Sequence, residues 1–239
     1  MRRTVHLVVW CGLIVLAGLG AGCHSAWVSS GLLYIEQNNY PKAEEMFKRA
    51  LWYNEEEAAA HYHLAYTLAY RAEHDHMPVG EVDSARIKIA SAREHYLRAA
   101  ELDPEKWQFN PDTEKEEERT PVDDGIRDMW VAMYNQGVIS REAGKLDDAL
   151  TYLDLAMLAD PTGKRGFDAQ MLKATLRYNE AISNSGNPDL ATLRDVVANL
   201  EGVTVPESEN ASQDRADLVK IKANIYRALS DDTKAAALY

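Results

Sequence analysis

Small and large apolar residues recur along this chain at fixed intervals. Gly31 is followed by Tyr34, Ala43, Phe47 and Ala50, at offsets of 3, 12, 16 and 19 residues. Gly137, Ala149, Leu153 and Ala156 repeat the 12, 4 and 3 spacing, with Pro161 five residues further on. Between them, Ala92, Tyr96, Ala99 and Pro104 keep the spacing of the second half alone. Offsets of three and four place residues on one face of a helix. The interval of 12 then joins two helices, and Gly144 in the third copy marks the turn. The first helix of the second copy is predicted over about Ala58 to Arg71, with Ala65 as its small residue. There the two helices stand further apart, which implies an insertion at about 72–86. A fourth copy runs through Ala181, Leu193, Val197 and Leu200, with leucine in place of both small residues of its second helix. Ala223, Tyr226 and Ala235 begin a fifth. Asp103-Pro104 stops the second copy, and Asn187-Pro188 gives the fourth its turn.

This spacing resembles the tetratricopeptide repeat, a pair of antiparallel helices of about 34 residues. The physical logic is plain. A glycine or alanine lets two helix axes approach, and a large side chain four residues on fills the widening space. The resemblance implies an all-α fold, a right-handed superhelical solenoid of antiparallel helix pairs. It would have four to five repeats, the last incomplete.

The chain opens on a different pattern. Arg2 and Arg3 precede an apolar run from Leu7 to Leu19, and Leu19-Gly20-Ala21-Gly22-Cys23 follows. A basic start, a short apolar core and small residues make a secretory signal peptide. The run is short for a membrane span. Small residues directly before a cysteine resemble the lipobox of bacterial lipoproteins, which implies that Cys23 is acylated and begins the mature chain. The departure is Gly20 in the place where that family carries leucine. The other reading is an ordinary signal peptide cleaved nearby, with Cys23 left as a thiol. His24 follows in place of the aspartate that in such lipoproteins favours inner-membrane retention. The expected address is therefore the periplasmic side of the outer membrane, or the inner membrane where no outer one exists. The expected organisation is a leader over 1–22 and two anchored repeats over 23–106. An acidic loop over 107–128 and three further repeats over 129–239 complete it.

Charge and chemistry narrow the function. The chain has 38 Asp and Glu against 26 Lys and Arg, a net charge of −12, and loss of Arg2 and Arg3 takes it to −14. Nucleic-acid binding needs clustered cations and is excluded. Two cysteines, Cys11 and Cys23, make neither a disulfide framework nor a zinc site. Glu116-Glu117-Glu118 and Asp123-Asp124 concentrate charge in the loop, which reads as a solvated insertion or as a docking surface for a basic partner. Trp107 and Phe109 are expected to tuck its start against the second repeat. No phosphate loop, nucleophile elbow or metalloprotease motif is present, so no enzyme is expected. His61 and His63 lie on different faces of a predicted helix, and His74 and His76 fall in the insertion. A structural role is expected for all four, with no metal and no cofactor beyond the lipid on Cys23.

In tetratricopeptide proteins the inner groove is lined by first-helix residues near the small position. The resemblance assigns this role to Tyr62, Tyr66 and Tyr70 in the second repeat, to Tyr134 and Arg141 in the third, and to Tyr178 in the fourth. Asn135 and Asn179, beside two of these tyrosines, would hold the backbone of a bound peptide. Tyrosine offers a rigid face with a polar tip, and asparagine both donates and accepts. The alternative is that the tyrosines only pack neighbouring helices. The basic pair that clamps a C-terminal carboxylate in this family is absent. The resemblance thus implies a membrane-anchored scaffold or adaptor for envelope proteins or peptides, in outer-membrane assembly, pilus biogenesis or secretion. An accessory subunit of an envelope enzyme or of a polysaccharide exporter is the alternative. The incomplete fifth repeat leaves room for a second copy of the chain.

Overall fold

The computed structural model describes residues 25–77, 80–108, 119–183, 187–208 and 210–238. The leader over 1–22, Cys23, Phe109 and the run Glu116-Glu117-Glu118 lie outside the described residues. Among those described, helices dominate and strands are absent. The helices are α1 (Ala26–Glu36), α2 (Tyr40–Tyr53), α3 (Ala58–Arg71), α4 (Val82–Leu102), α5 (Pro104–Trp107) and α6 (Pro121–Glu142). They continue as α7 (Leu146–Ala159), α8 (Gly163–Ser183), α9 (Leu190–Glu201), α10 (Ala211–Ala228) and α11 (Asp232–Ala236).

They pack in consecutive pairs: α1 with α2, α3 with α4, α6 with α7, α8 with α9, and α10 with α11. In the first pair Trp27 stacks on Tyr53, Gly31 meets Phe47, and Asn39 bonds Tyr34, so the two helices run antiparallel. Most residues of the spacing pattern are buried, with Tyr34 partly covered and Pro104 and Pro161 exposed. The small positions Gly31, Ala65, Gly137, Ala181 and Ala223 are covered, as are their partners Ala43, Ala92, Ala149, Leu193 and Ala235. Each pair also meets the next through α2 and α3, α4 and α6, α7 and α8, and α9 and α10. One apolar cluster runs from Val28 to Leu176, and a second continues from Phe167 to Leu238.

Three turns share one geometry. Asn38, Gly144 and Ser230 have φ of 56°, 72° and 58°. Each stands seven residues after the small residue of its first helix. The next N–H in each case donates to a carbonyl five residues back: Asn39 to Tyr34 at 2.8 Å, Lys145 to Ser140 at 2.9 Å, and Asp231 to Tyr226 at 2.8 Å. A left-handed residue ends one helix and its successor opens the next. In the second pair the corresponding residue is Ala72, which stays right-handed at φ −59°. The chain therefore continues past Arg71 as a π-helical turn, Ala72–His76, and the expected insertion is largely helical.

The segment expected as an acidic loop is also shorter than its composition suggests. Thr120 caps α6 with a full capping box, its side chain accepting from the Asp123 N–H and the Asp123 carboxylate accepting from the Thr120 N–H, with Pro121 in the first turn. Residues 121–128 are helix, and Val122 and Ile126 are fully buried against Ala65, Tyr96 and Trp107. The spacing Val122, Ile126, Met129, Met133 is an apolar stripe that outweighs the acidic residues between its members. Beyond α9, helix resumes at Ala211.

Close approach at the small positions is testable. A Cβ on Gly31 would lie under 3.0 Å from three carbons of the Phe47 ring, which is fully buried. Gly31→Ala should destabilise the chain by about 1–3 kcal/mol through overpacking, despite the better helix former. Gly202, with no atom within 4 Å and φ −89°, is the control, and its alanine variant should stay within about 0.5 kcal/mol. Denaturant midpoints measure both, and equal midpoints for the two variants would contradict the packing argument.

Candidate functional site

The expected tyrosine stripe divides into residues that serve packing and residues that do not. Tyr62 stacks on Trp107 at 4.3 Å between ring centroids and meets Tyr96 edge-on at 5.6 Å. Trp107 is 5% exposed, so the start of the loop does tuck against the second pair. Tyr70 lies between Tyr40 and His74, at 3.7 and 3.9 Å. The Tyr40 hydroxyl is pushed up to about 12 by burial and then by Tyr66 and Tyr70 beside it. Tyr66 alone keeps an exposed ring. Asn135 is exposed and lies outside the cavities near it, and Arg141 pairs with its neighbour Glu142 at 3.3 Å at the surface.

Three expected residues do share a site. A groove of about 430 Å³ lies between α6, α8 and α10, and Tyr134, Tyr178 and Asn179 line it. Helical register explains their convergence. Tyr134 and Tyr178 each stand three residues before the small residue of a first helix, Gly137 and Ala181. Lys220 holds the same place before Ala223 on α10 and lines the groove too. Ile221 corresponds to Asn179, and Asp217 to Thr175. The α10 wall was therefore available to the register rule, had the rule been applied to the fifth unit. Asp168 and Asp214, also lining the groove, stand far from the small positions and carry no sequence signal of their own.

The groove's electrostatics are local. The Lys164 ammonium bonds Asp168 and lies 3.4 Å from Asp214 Oδ1. Burial pushes the Asp168 carboxyl up, Lys164 opposes this, and Asp214 adds to it. Burial would lower Lys164, but the two carboxylates outweigh it and its pKa rises. Tyr134 stacks on Trp130 at 4.5 Å, and burial followed by Asp168 raises its hydroxyl. Such a surface mixes apolar side chains, Phe167, Met171, Leu172 and Ile221, with carboxylates, asparagines and Lys220. It suits an extended ligand.

A second cluster sits apart from the groove. His61 and His95 approach with their Nδ1 atoms 2.8 Å apart, and His61 Nε2 lies 2.9 Å from the carbonyl of Glu55. A carbonyl only accepts, so Nε2 carries the hydrogen and His61 Nδ1 accepts from His95 Nδ1–H. Burial lowers His61, with Arg98 adding to it, while the Glu55 carbonyl and Glu94 oppose it. His95 is lowered to about 4 by burial, then by His61 and Lys48. His63 takes another direction and stacks on Phe47 at 5.6 Å. Among the described residues, no three His, Cys, Asp or Glu side chains gather as metal ligands do.

No protein-family model matches the chain, and no curated protein matches it either.

The histidine pair makes a signed prediction. Both folded-state values lie below the ordinary imidazole value of about 6.5. The neutral pair therefore contributes stability that is fully present above about pH 6.5 and is lost as pH falls toward 4. His95→Gln should flatten the slope of stability against pH in that window, measured by urea unfolding at each pH. An unchanged slope would show that the pair does not titrate with folding.

Proposed function

We propose that this chain is a lipid-anchored scaffold of the bacterial envelope that holds an extended segment of another protein along its first helices. On this reading the helix pairs form a right-handed, tetratricopeptide-like solenoid, and the groove between α6, α8 and α10 belongs to its inner face. The observation that carries the reading is the convergence of Tyr134, Tyr178 and Asn179 in one open groove, at the register positions where such repeats present ligand-binding residues. Tyr178 and Asn179 supply a flat ring and a two-way hydrogen-bonding amide, the combination that grips a peptide without demanding one sequence.

The anchor has separate support. The apolar run from Leu7 to Leu19 ends on small residues directly before Cys23. A net charge of −12 also keeps the body away from anionic lipid. Attachment would then rest on acylated Cys23, two residues before the first described residue. Ser25 is already held, its N–H donating to Glu57 Oε1 at 3.1 Å. The first pair would hang close to the lipid, with little tether between.

Two experiments test the proposal. Cells fed an alkyne analogue of palmitate should label the wild-type chain, and Cys23→Ala should lose both the label and the membrane fraction. A variant that keeps its label refutes acylation at that position. Separately, affinity capture from detergent-solubilised membranes should recover a partner with the wild type. Tyr178→Ala combined with Asn179→Ala should lose it by tenfold or more. An unchanged partner set removes the groove from the function.

A further inference from the structure

The groove is chemically ordered along its length. At one end, Asp168 and Asp214 share a single ammonium, that of Lys164. Asp214 forms part of the groove wall and is 9% exposed. Its Oδ1 faces Lys164, while its Oδ2 is withdrawn from solvent with no hydrogen-bond partner. Asp217, exposed one turn along α10, lines the same end and accepts from Gln213 at 3.0 Å. The middle is apolar, with Met171, Leu172 and Ile221. Asn179 and Asn224 lie toward the other end.

A buried carboxylate oxygen without a donor is costly, and two carboxylates on one ammonium leave charge uncompensated. A donor arriving from outside removes both penalties at once. An anionic ligand would meet three carboxylates there. Lys220, the cation among the residues lining the groove, stands one turn along α10 from Asp217 and six residues, about 9 Å of helix, from Asp214.

We propose that the acidic end receives the Lys or Arg side chain of the bound segment, which pairs with exposed Asp217 and, once the Asp214 side chain turns its unpartnered oxygen outward, with Asp214. The residues that follow it then run over the apolar middle, and their backbone reaches Asn179 and Asn224. This specifies the ligand of the groove and rests on the peptide-binding reading above. Asp214 and Asn224 are ten residues apart on α10, about 15 Å. That distance accommodates four or five extended residues.

The test offers the immobilised full-length chain, in detergent, an equimolar mixture of blocked hexapeptide pools. One position is fixed as Arg, citrulline or Glu and the rest are randomised, and mass spectrometry reads what is retained. Citrulline keeps the shape of arginine without its charge. The expected result is at least tenfold enrichment of Arg over citrulline, with Glu excluded, and a ratio within twofold in Asp214→Asn. Thermal melting by circular dichroism establishes that this variant is folded. If it is not, Asp217→Asn at the exposed position should lower the ratio severalfold, and an unchanged ratio overturns the proposal. Equal retention of Arg and citrulline pools, both lost in the Tyr178→Ala, Asn179→Ala variant, overturns the charge assignment and leaves the groove standing. No retention beyond that variant for any pool overturns both.

Discussion

Helices in this chain come together because one position on each first helix carries almost no side chain. Phe47 occupies space that a Cβ on Gly31 would need, and Leu153 lies 3.1 Å from where a Cβ on Gly137 would stand. The rest of the architecture follows from that contact. Two close helices leave a wedge of space on their outer sides, and only the next pair fills it. Val28 and Phe47 of the first pair and Leu64 of the second thus belong to the same cluster as Met133 and Leu155 of the third. A unit of this kind cannot bury its own faces, so its stability is shared with its neighbours. The turns obey the same constraint: a left-handed residue seven places on returns the chain at the one length that keeps the small positions opposed.

Charges fix how one pair sits on the next. Glu44 of α2 is buried, yet it meets Lys48 of its own helix, Arg71 of α3 at 2.5 Å, and Lys88 of α4 at 3.1 Å. Burial would raise its pKa, and the cations outweigh burial and hold the carboxyl at about 2. A buried ion pair adds little net stability over a well-packed apolar contact, but breaking one strands a charge. Glu44 therefore selects a register between the first two pairs more than it strengthens them. Asp160 does comparable work at the third junction. It is 1% exposed, and it accepts from Thr162 and from Arg165 Nε at 2.6 Å. The chain thereby leaves α7 and enters α8 at a defined angle.

The fold was legible in the sequence to the extent that it depends on small residues at fixed intervals. Ala65 and Ala92 were recognisable across their long separation because each kept its own local spacing. The acidic loop was misjudged because composition spoke louder than period. Asp123, Asp124 and the preceding glutamates suggested solvent, while Val122, Ile126, Met129 and Met133 marked a helix face four and three residues apart. The groove was legible in part. Register located Tyr134, Tyr178 and Asn179, and it would have located Lys220. It could not tell whether a tyrosine finds a partner ring, because Tyr62 meets Trp107 from beyond its own helix pair. Nor could it reveal that Lys164 lies between Asp168 and Asp214, which depends on how α8 and α10 are set together.

The difference between the two ends of the tyrosine series is a matter of satisfaction. Around the second pair, Trp107, Tyr40 and His74 cover the ring faces, so Tyr62 and Tyr70 lose their capacity to stack on anything else. The α5 segment supplies Trp107, the π-helical turn supplies His74, and Tyr40 comes from α2 of the first pair. In the fourth unit α8 extends from Gly163 to Ser183, and leucines stand where its second helix would hold small residues. Its groove stays open, with Tyr178 half-buried and Asp214 one donor short. Rings from neighbouring segments cover the tyrosine faces of the second unit, and the fourth leaves its groove open. On the proposed reading, binding capacity follows the side chains that neighbouring units leave uncovered, more than the number of aromatic residues at the right register.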